Sequence, residues 1–252
     1  MSRDRRSKVP TSGPRDKYLH FHDRVGLVCP PPSMERVRVN HSYERPRIIV
    51  AVSLDESLIY GAMKLSGGAR LIGTTAVKPL ARSVFQVISP EVCPKECKVT
   101  YGAPVQFLLA TEELSDKPLY MASDSLMSTK GVQQKSGHRG VFLSADRCNY
   151  NTHWVFQHVD PQIRLEFEGQ PVPVNTPVII RHCKTNSALA IEHKKSWGLL
   201  DFEYEVSSCN HLDGHRAEND TNQICVCTNL DVCESLSDVK SDAEKLLKTM
   251  ST

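Results

Sequence analysis

The chain of 252 residues carries 31 Lys and Arg against 29 Asp and Glu, a formal net charge of +2, with 40% hydrophobic and 24% charged residues. That near-balance argues against a protein whose main task is to neutralise a nucleic-acid backbone, and the composition is far from that of a disordered chain. No apolar run approaches the roughly 18 residues that span a bilayer, and no hydrophobic segment follows Met1-Ser2-Arg3-Asp4-Arg5-Arg6, so the nine cysteines are expected in a reducing compartment, where stable disulfides are rare.

Residues 1–17 form a basic segment in which Arg3, Arg5, Arg6, Lys8, Arg15 and Lys17 face only Asp4 and Asp16, with Val9 the one apolar side chain after Met1. Such a stretch cannot bury enough apolar area to offset its ordering entropy, so it is expected to be disordered alone. It is then either a solvated tail or an arm that orders on an acidic partner, with Arg3, Arg5, Arg6, Lys8 and Arg15 as the contacts.

From Val25 onward, short β-branched and aromatic runs alternate with Gly, Pro, Asn and Asp. The pattern predicts strands at 25–28, 48–52, 84–88, 105–109, 119–121, 141–143, 154–156, 163–167, 178–180, 188–191 and 224–226. A short helical insertion is expected over Asp55 to Leu65, closed by Gly67-Gly68. Past residue 230 the pattern changes. Val239, Ala243, Leu246, Leu247 and Met250 recur with the helical period, and Ser241 with Glu244 has capping-box spacing. About three turns are marginal alone in water, so this helix docks on its own domain or on a neighbour, through Leu246 and Leu247.

The strands repeat. His22-Asp23-Arg24-Val25, Gly102-Ala103-Pro104-Val105 and Asn175-Thr176-Pro177-Val178 each place a turn before a valine that opens an apolar run. Each run is followed by a second apolar strand (Ile49 to Val52, Leu119 to Ala122, Leu189 to Ile191) and later by a closing strand at Val84-Phe85, Trp154-Val155-Phe156 or Ile224-Cys225-Val226. Three units too small to bury their own faces predict a core shared about a pseudo-threefold axis. The expected fold class is all-β, a β-trefoil over 18–230 between a basic tail (1–17) and a C-terminal tail (231–252) with a short amphipathic helix.

Few residues suggest chemistry. Cys93-Pro94-Lys95-Glu96-Cys97 and the trio Cys225, Cys227 and Cys233 lack the paired knuckles of structural zinc. Cys225 and Cys227 share a strand face, which suits core or edge packing. His182 and Cys183 are adjacent on a strand and point to opposite faces, so they form no dyad. His20 and His22 read as half-buried strand histidines, and His211-Leu212-Asp213-Gly214-His215-Arg216 as a polar turn that could hold an ion, although turn chemistry explains its Asp-Gly without one. Ser66-Gly67-Gly68 is too short for a phosphate loop; Glu112-Glu113 and Glu166 with Glu168 read as solvated faces and turns. No nucleophile, base and oxyanion site assemble, and no catalytic residue, metal or cofactor is expected.

One stretch is more specific. Asp160-Pro161-Gln162-Ile163-Arg164-Leu165-Glu166-Phe167-Glu168-Gly169-Gln170-Pro171-Val172-Pro173 precedes Val178-Ile179-Ile180-Arg181-His182-Cys183-Lys184-Thr185-Asn186 and Leu189-Ala190, and later Leu212-Asp213-Gly214-His215-Arg216-Ala217-Glu218 and Asn222. With Tyr18 to Val28 and Leu119 to Asp124, these resemble the cilia- and flagella-associated protein 161 family over about 18–230. The resemblance implies a MIR-like β-trefoil and a non-enzymatic microtubule inner protein. Such proteins lie in the lumen of the A-tubule of axonemal doublet microtubules, against α/β-tubulin and other inner proteins, with no nucleic acid or membrane partner. Two departures are visible: a basic segment stands where the family has a Gly- and Trp-containing extension, and Ile224 occupies a position where tryptophan is usual. Other MIR-type trefoils bind sugars or inositol phosphates; for that alternative, Arg181, Lys184 and Asn186 are the candidate contacts.

Overall fold

A computed structural model describes residues 8–13, 16–30, 46–54, 64–92, 94, 97–111, 114–124, 135–198 and 202–230. Among them are twelve strands, in three groups of four. The first group is β1 (Arg24–Cys29), β2 (Ile48–Val52), β3 (Leu71–Thr74) and β4 (Phe85–Ile88). The second is β5 (Pro104–Leu109), β6 (Tyr120–Ser123), β7 (Arg139–Ser144) and β8 (Trp154–Gln157). The third is β9 (Pro177–His182), β10 (Ser187–Trp197), β11 (Phe202–Ser208) and β12 (Gln223–Cys227).

Every pairing recurs when the strand number advances by four. Within the units β1 pairs β4, β5 pairs β8 and β9 pairs β12. Between them β4 pairs β5, β8 pairs β9 and β12 returns to β1, closing a six-stranded antiparallel barrel. The hairpins β2–β3, β6–β7 and β10–β11 cover one end. They join each other through β3–β11, β11–β7 and a bridge from Arg70 to Phe142. This is a β-trefoil, and closure removes the barrel edges that would otherwise invite strand addition.

The repeated turn explains how three different sequences begin the same way. The residue three before each leading valine has a left-handed backbone: His22 at φ 71°, Gly102 at 81° and Asn175 at 58°. Glycine adopts this conformation freely, and Asn and His tolerate it better than most residues. In each case that residue's amide donates to the neighbouring barrel strand, His22 to Val87, Gly102 to Phe156 and Asn175 to Val226.

The core follows the same symmetry. Val25 lies opposite Phe85, Val105 opposite Trp154 and Val178 opposite Ile224. In the next layer Leu27 faces Val226, Phe107 faces Val87 and Ile180 faces Phe156. All twelve side chains are fully buried, each contributing about 1.5–3 kcal/mol by leaving water.

Three expectations change. Ile163 to Phe167, expected to be a strand, instead forms one helical turn, α1 (Arg164–Phe167). Phe167 stacks on His158 at 4.3 Å and meets Tyr101 edge-on, Arg164 reaches the His158 carbonyl, and Leu165 is left in solvent. Strands β3 and β11 were not anticipated. The basic segment is not structureless throughout: Lys8 pairs with Leu80, Val9 packs against the core, and Ser12 exchanges hydrogen bonds with Arg24. Residues 55–63 of the expected helical insertion and the whole expected C-terminal helix lie outside the described residues. No helix among the described residues is long and apolar enough to cross a membrane.

Gly73 in β3 shows why that strand carries a glycine. A Cβ there would sit 2.6 Å from Ile48 Cγ2, 3.1 Å from Tyr204 Cβ and 3.2 Å from Ile191 Cγ2. The first and third are branched, fully buried side chains with little freedom to yield. Gly73→Ala is expected to lower the unfolding free energy by about 1–3 kcal/mol, measured by urea denaturation. An unchanged midpoint would show that the hairpin end is loosely packed.

Candidate functional site

Of the expected partner contacts, Arg3, Arg5, Arg6, Arg15, Leu246 and Leu247 lie outside the described residues. Lys8 is described and exposed, on a segment held to the first unit by the Val9 amide and the Pro79 carbonyl at 2.8 Å. Further along, the Lys17 carbonyl accepts from Val174, Tyr18 pairs with Pro173, and Lys98 sits 4.4 Å above the Tyr18 ring. Lys98 also contacts Asp16 at 3.0 Å, and that hydrogen bond holds the exposed Asp16 carboxyl below its ordinary value.

The cationic residues considered for a small ligand are engaged within the protein. Arg181 donates from Nε to Gln157 at 2.6 Å, from Nη1 to the Asn186 carbonyl at 2.8 Å, and from Nη2 to Glu218. Arg164 grips the other Glu218 oxygen at 2.5 Å. Burial alone would push the Glu218 carboxyl up, but the Arg164 hydrogen bonds and the charges of Arg164 and Arg181 hold it below the usual carboxylate range. Lys184 lies 3.2 Å from Asp124.

His182 ends β9, whereas Cys183, expected on the same strand, opens the turn that follows it. His182 is fully buried beside Trp154, ring centroids 4.7 Å apart, its Nε2 donating to the Asn151 carbonyl and its Nδ1 accepting from Thr185. Burial pushes its pKa down to about 4, so the ring is neutral at pH 7. Cys183 turns to the other side and lines an open groove of about 790 Å³ with Pro90, Val92, Cys148, Tyr150 and His153. Burial raises its thiol pKa, which makes it a poor nucleophile. His20 lies between Asp16 and Asp23, and Cys225 and Cys227 join Val28, Ile49, Val77 and Leu230 in a small apolar cluster.

A polar cluster that the sequence reading did not assemble lies where the second and third units meet. Glu192 Oε1 accepts from Ser207 Oγ at 2.5 Å, His138 Nδ1 at 2.7 Å and His211 Nε2 at 3.1 Å. Burial pushes this carboxyl up, but the three donors outweigh it and hold it below the usual range. Only the Cys209-Asn210-His211 spacing was local enough to signal it. The turn that follows behaves as expected, with Asp213 Oδ1 accepting from the His215 and Ala217 amides.

Comparison with known proteins places this architecture. Residues 7–229 match the profile of the "Cilia- and flagella-associated protein 161-like domain". The chain is 31% identical over 221 residues to the Cilia- and flagella-associated protein 161 of Danio rerio, covering 85% of this chain and 70% of that protein. Against the Bos taurus protein of the same name it is 30% identical over 218 residues, 84% of this chain and 65% of that one. Among solved structures, an SDF2-like protein from Arabidopsis thaliana superposes with a TM-score of 0.55 at 15% identity, covering 83% of this chain and 94% of the other. The S. cerevisiae protein O-mannosyltransferase Pmt1-Pmt2 complex gives 0.53 at 13%, covering 87% of this chain and 26% of that one. At such identities the likeness extends to the fold alone.

Proposed function

Because the chain belongs to the cilia- and flagella-associated protein 161 family, and so to the cilium or flagellum, we propose that it is a non-enzymatic structural protein of the axoneme. It binds in the lumen of the A-tubule of doublet microtubules, against α/β-tubulin and other inner proteins, and stabilises the doublet for beating. The family match over residues 7–229 carries this reading.

The physical features support it. A closed barrel gives a rigid body, and the candidate catalytic side chains are a neutral, inward-facing His182 and a Cys183 with a raised pKa. Large apolar side chains stand in solvent at separate places: Val92 after β4, Leu165 on α1 and Trp197 at the end of β10, at 105%, 85% and 79% exposure. Dispersed anchors of this kind suit a body held on several sides by lattice neighbours, where many weak contacts act together. The basic residues Arg3, Arg5, Arg6, Lys8 and Arg15 are the contacts for acidic neighbours, and Leu246 and Leu247 those for an apolar groove.

A tagged full-length copy expressed in ciliated cells should remain with axonemes after detergent extraction and appear as density inside the A-tubule. Release of the tagged protein into the soluble fraction, with an unchanged luminal density map, would overturn the assignment.

A further inference from the structure

The polar cluster around Glu192 has the composition of a metal site. His138 precedes β7 in the second unit, whereas Cys209 and His211 follow β11 in the third. One ring nitrogen from each imidazole and the Cys209 Sγ lie within 4.8 Å of one another. The seam beneath them is a short antiparallel ladder, Ser207 opposite Gly140 and Ser208 opposite Arg139. We propose that His138, Cys209 and His211 hold a zinc-class divalent cation, with water as its fourth ligand, that clips the second unit to the third.

The donor set selects the class of ion. Two imidazoles and a thiolate suit zinc and disfavour magnesium or calcium, which take oxygen ligands. One Glu192 oxygen accepts from both rings and from Ser207, which keeps the two imidazoles beside each other. Metal–ligand bonds of about 2.0–2.3 Å in a tetrahedron place the donor atoms roughly 3.3–3.6 Å apart, so the cluster must contract slightly on binding. The three ligands are half-buried rather than wedged into the core, which leaves them that freedom.

Cobalt(II) is the probe, added to the reduced, metal-free full chain. One equivalent should produce the visible bands of four-coordinate cobalt together with sulfur-to-cobalt charge transfer, and zinc should abolish both. Cys209→Ser should remove the charge transfer. Zinc should raise the unfolding midpoint of the parent chain but not of Cys209→Ser, while Cys148→Ser, an exposed cysteine elsewhere, should behave like the parent. Absence of the cobalt bands in the parent, or unchanged bands in Cys209→Ser, would overturn the proposal; the second result would place the metal on other cysteines.

Discussion

Replacing Trp154 by alanine is expected to lower the unfolding free energy by about 4 kcal/mol. Its indole is fully buried, lies opposite Val105 across β5 and β8, packs on His182 and donates from Nε1 to the Met121 carbonyl at 3.0 Å. Alanine leaves a cavity in the second core unit and strands that carbonyl away from water. The pseudo-threefold axis supplies graded controls, because the equivalent positions hold Phe85 and Ile224. Trp154→Phe should be the mildest change, Trp154→Ile intermediate and Trp154→Ala the most severe in urea titrations followed by circular dichroism. The chain has two tryptophans, and the other, Trp197, is 79% exposed. The blue-shifted part of the folded-state fluorescence should therefore vanish with each variant. A Trp154→Ala protein as stable as Trp154→Phe would show that the threefold layers do not carry the core energy.

The threefold plan was legible because it is written locally, in a turn residue that accepts a left-handed backbone and a valine three positions later. Distant packing decided what was not legible. Ile163 to Phe167 alternates apolar and polar residues like a strand, but five residues are too few to distinguish a two-residue period from a single helical turn. Phe167 meets His158 and Tyr101, and Arg164 reaches Glu218; these contacts select the turn and leave Leu165 outside. Gly73 makes β3 look like a break until Ile48 is seen to occupy the place of a Cβ. In β11, Glu205 and Ser207 are polar yet buried, Glu205 accepting from the Lys135 and Ser136 amides and Ser207 donating to Glu192. Val9 likewise finds its core contact only because residue 80 folds back beside residue 8.

The same distinction separates the candidate sites. Arg181, Lys184 and Asn186 are close in sequence and suggest a ligand-binding loop. In the fold Arg181 turns to Glu218, Gln157 and the Asn186 carbonyl, and Lys184 turns to Asp124. His138, Glu192 and Cys209 are far apart in sequence, and hairpin packing about the pseudo-threefold axis brings them together. Sequence proximity suggested a site where the fold has an internal ion-pair network, and gave almost no sign of the cluster that does converge.

Glu218 should be the most sensitive polar position. Its carboxylate sits between Arg164 and Arg181 with only 3% of its side chain exposed. Glu218→Gln keeps the shape but leaves two guanidinium groups without their counter-charge, a loss of about 3–5 kcal/mol at pH 7 for a buried pair. The acid response follows from the direction of the shifts. Glu218 is held below its unfolded-state pKa, so its contribution is complete above about 4.3 and is lost as the pH falls through the folded value. The gap between parent and Glu218→Gln should therefore narrow in strong acid. His182 acts earlier: its folded pKa is about 4 against an unfolded 6.5, so the unfolded chain binds the proton first. Stability should fall by about 2.5 kcal/mol from this group alone between pH 7 and 4.5, with the depressed His153 adding in the same direction. Urea midpoints measured from pH 7 to 3.5 should show the histidine loss first and the Glu218 loss below it, and His182→Gln should flatten only the upper part. A parent-to-Glu218→Gln difference that stays constant to pH 3.5 would mean that the carboxylate contributes packing rather than charge.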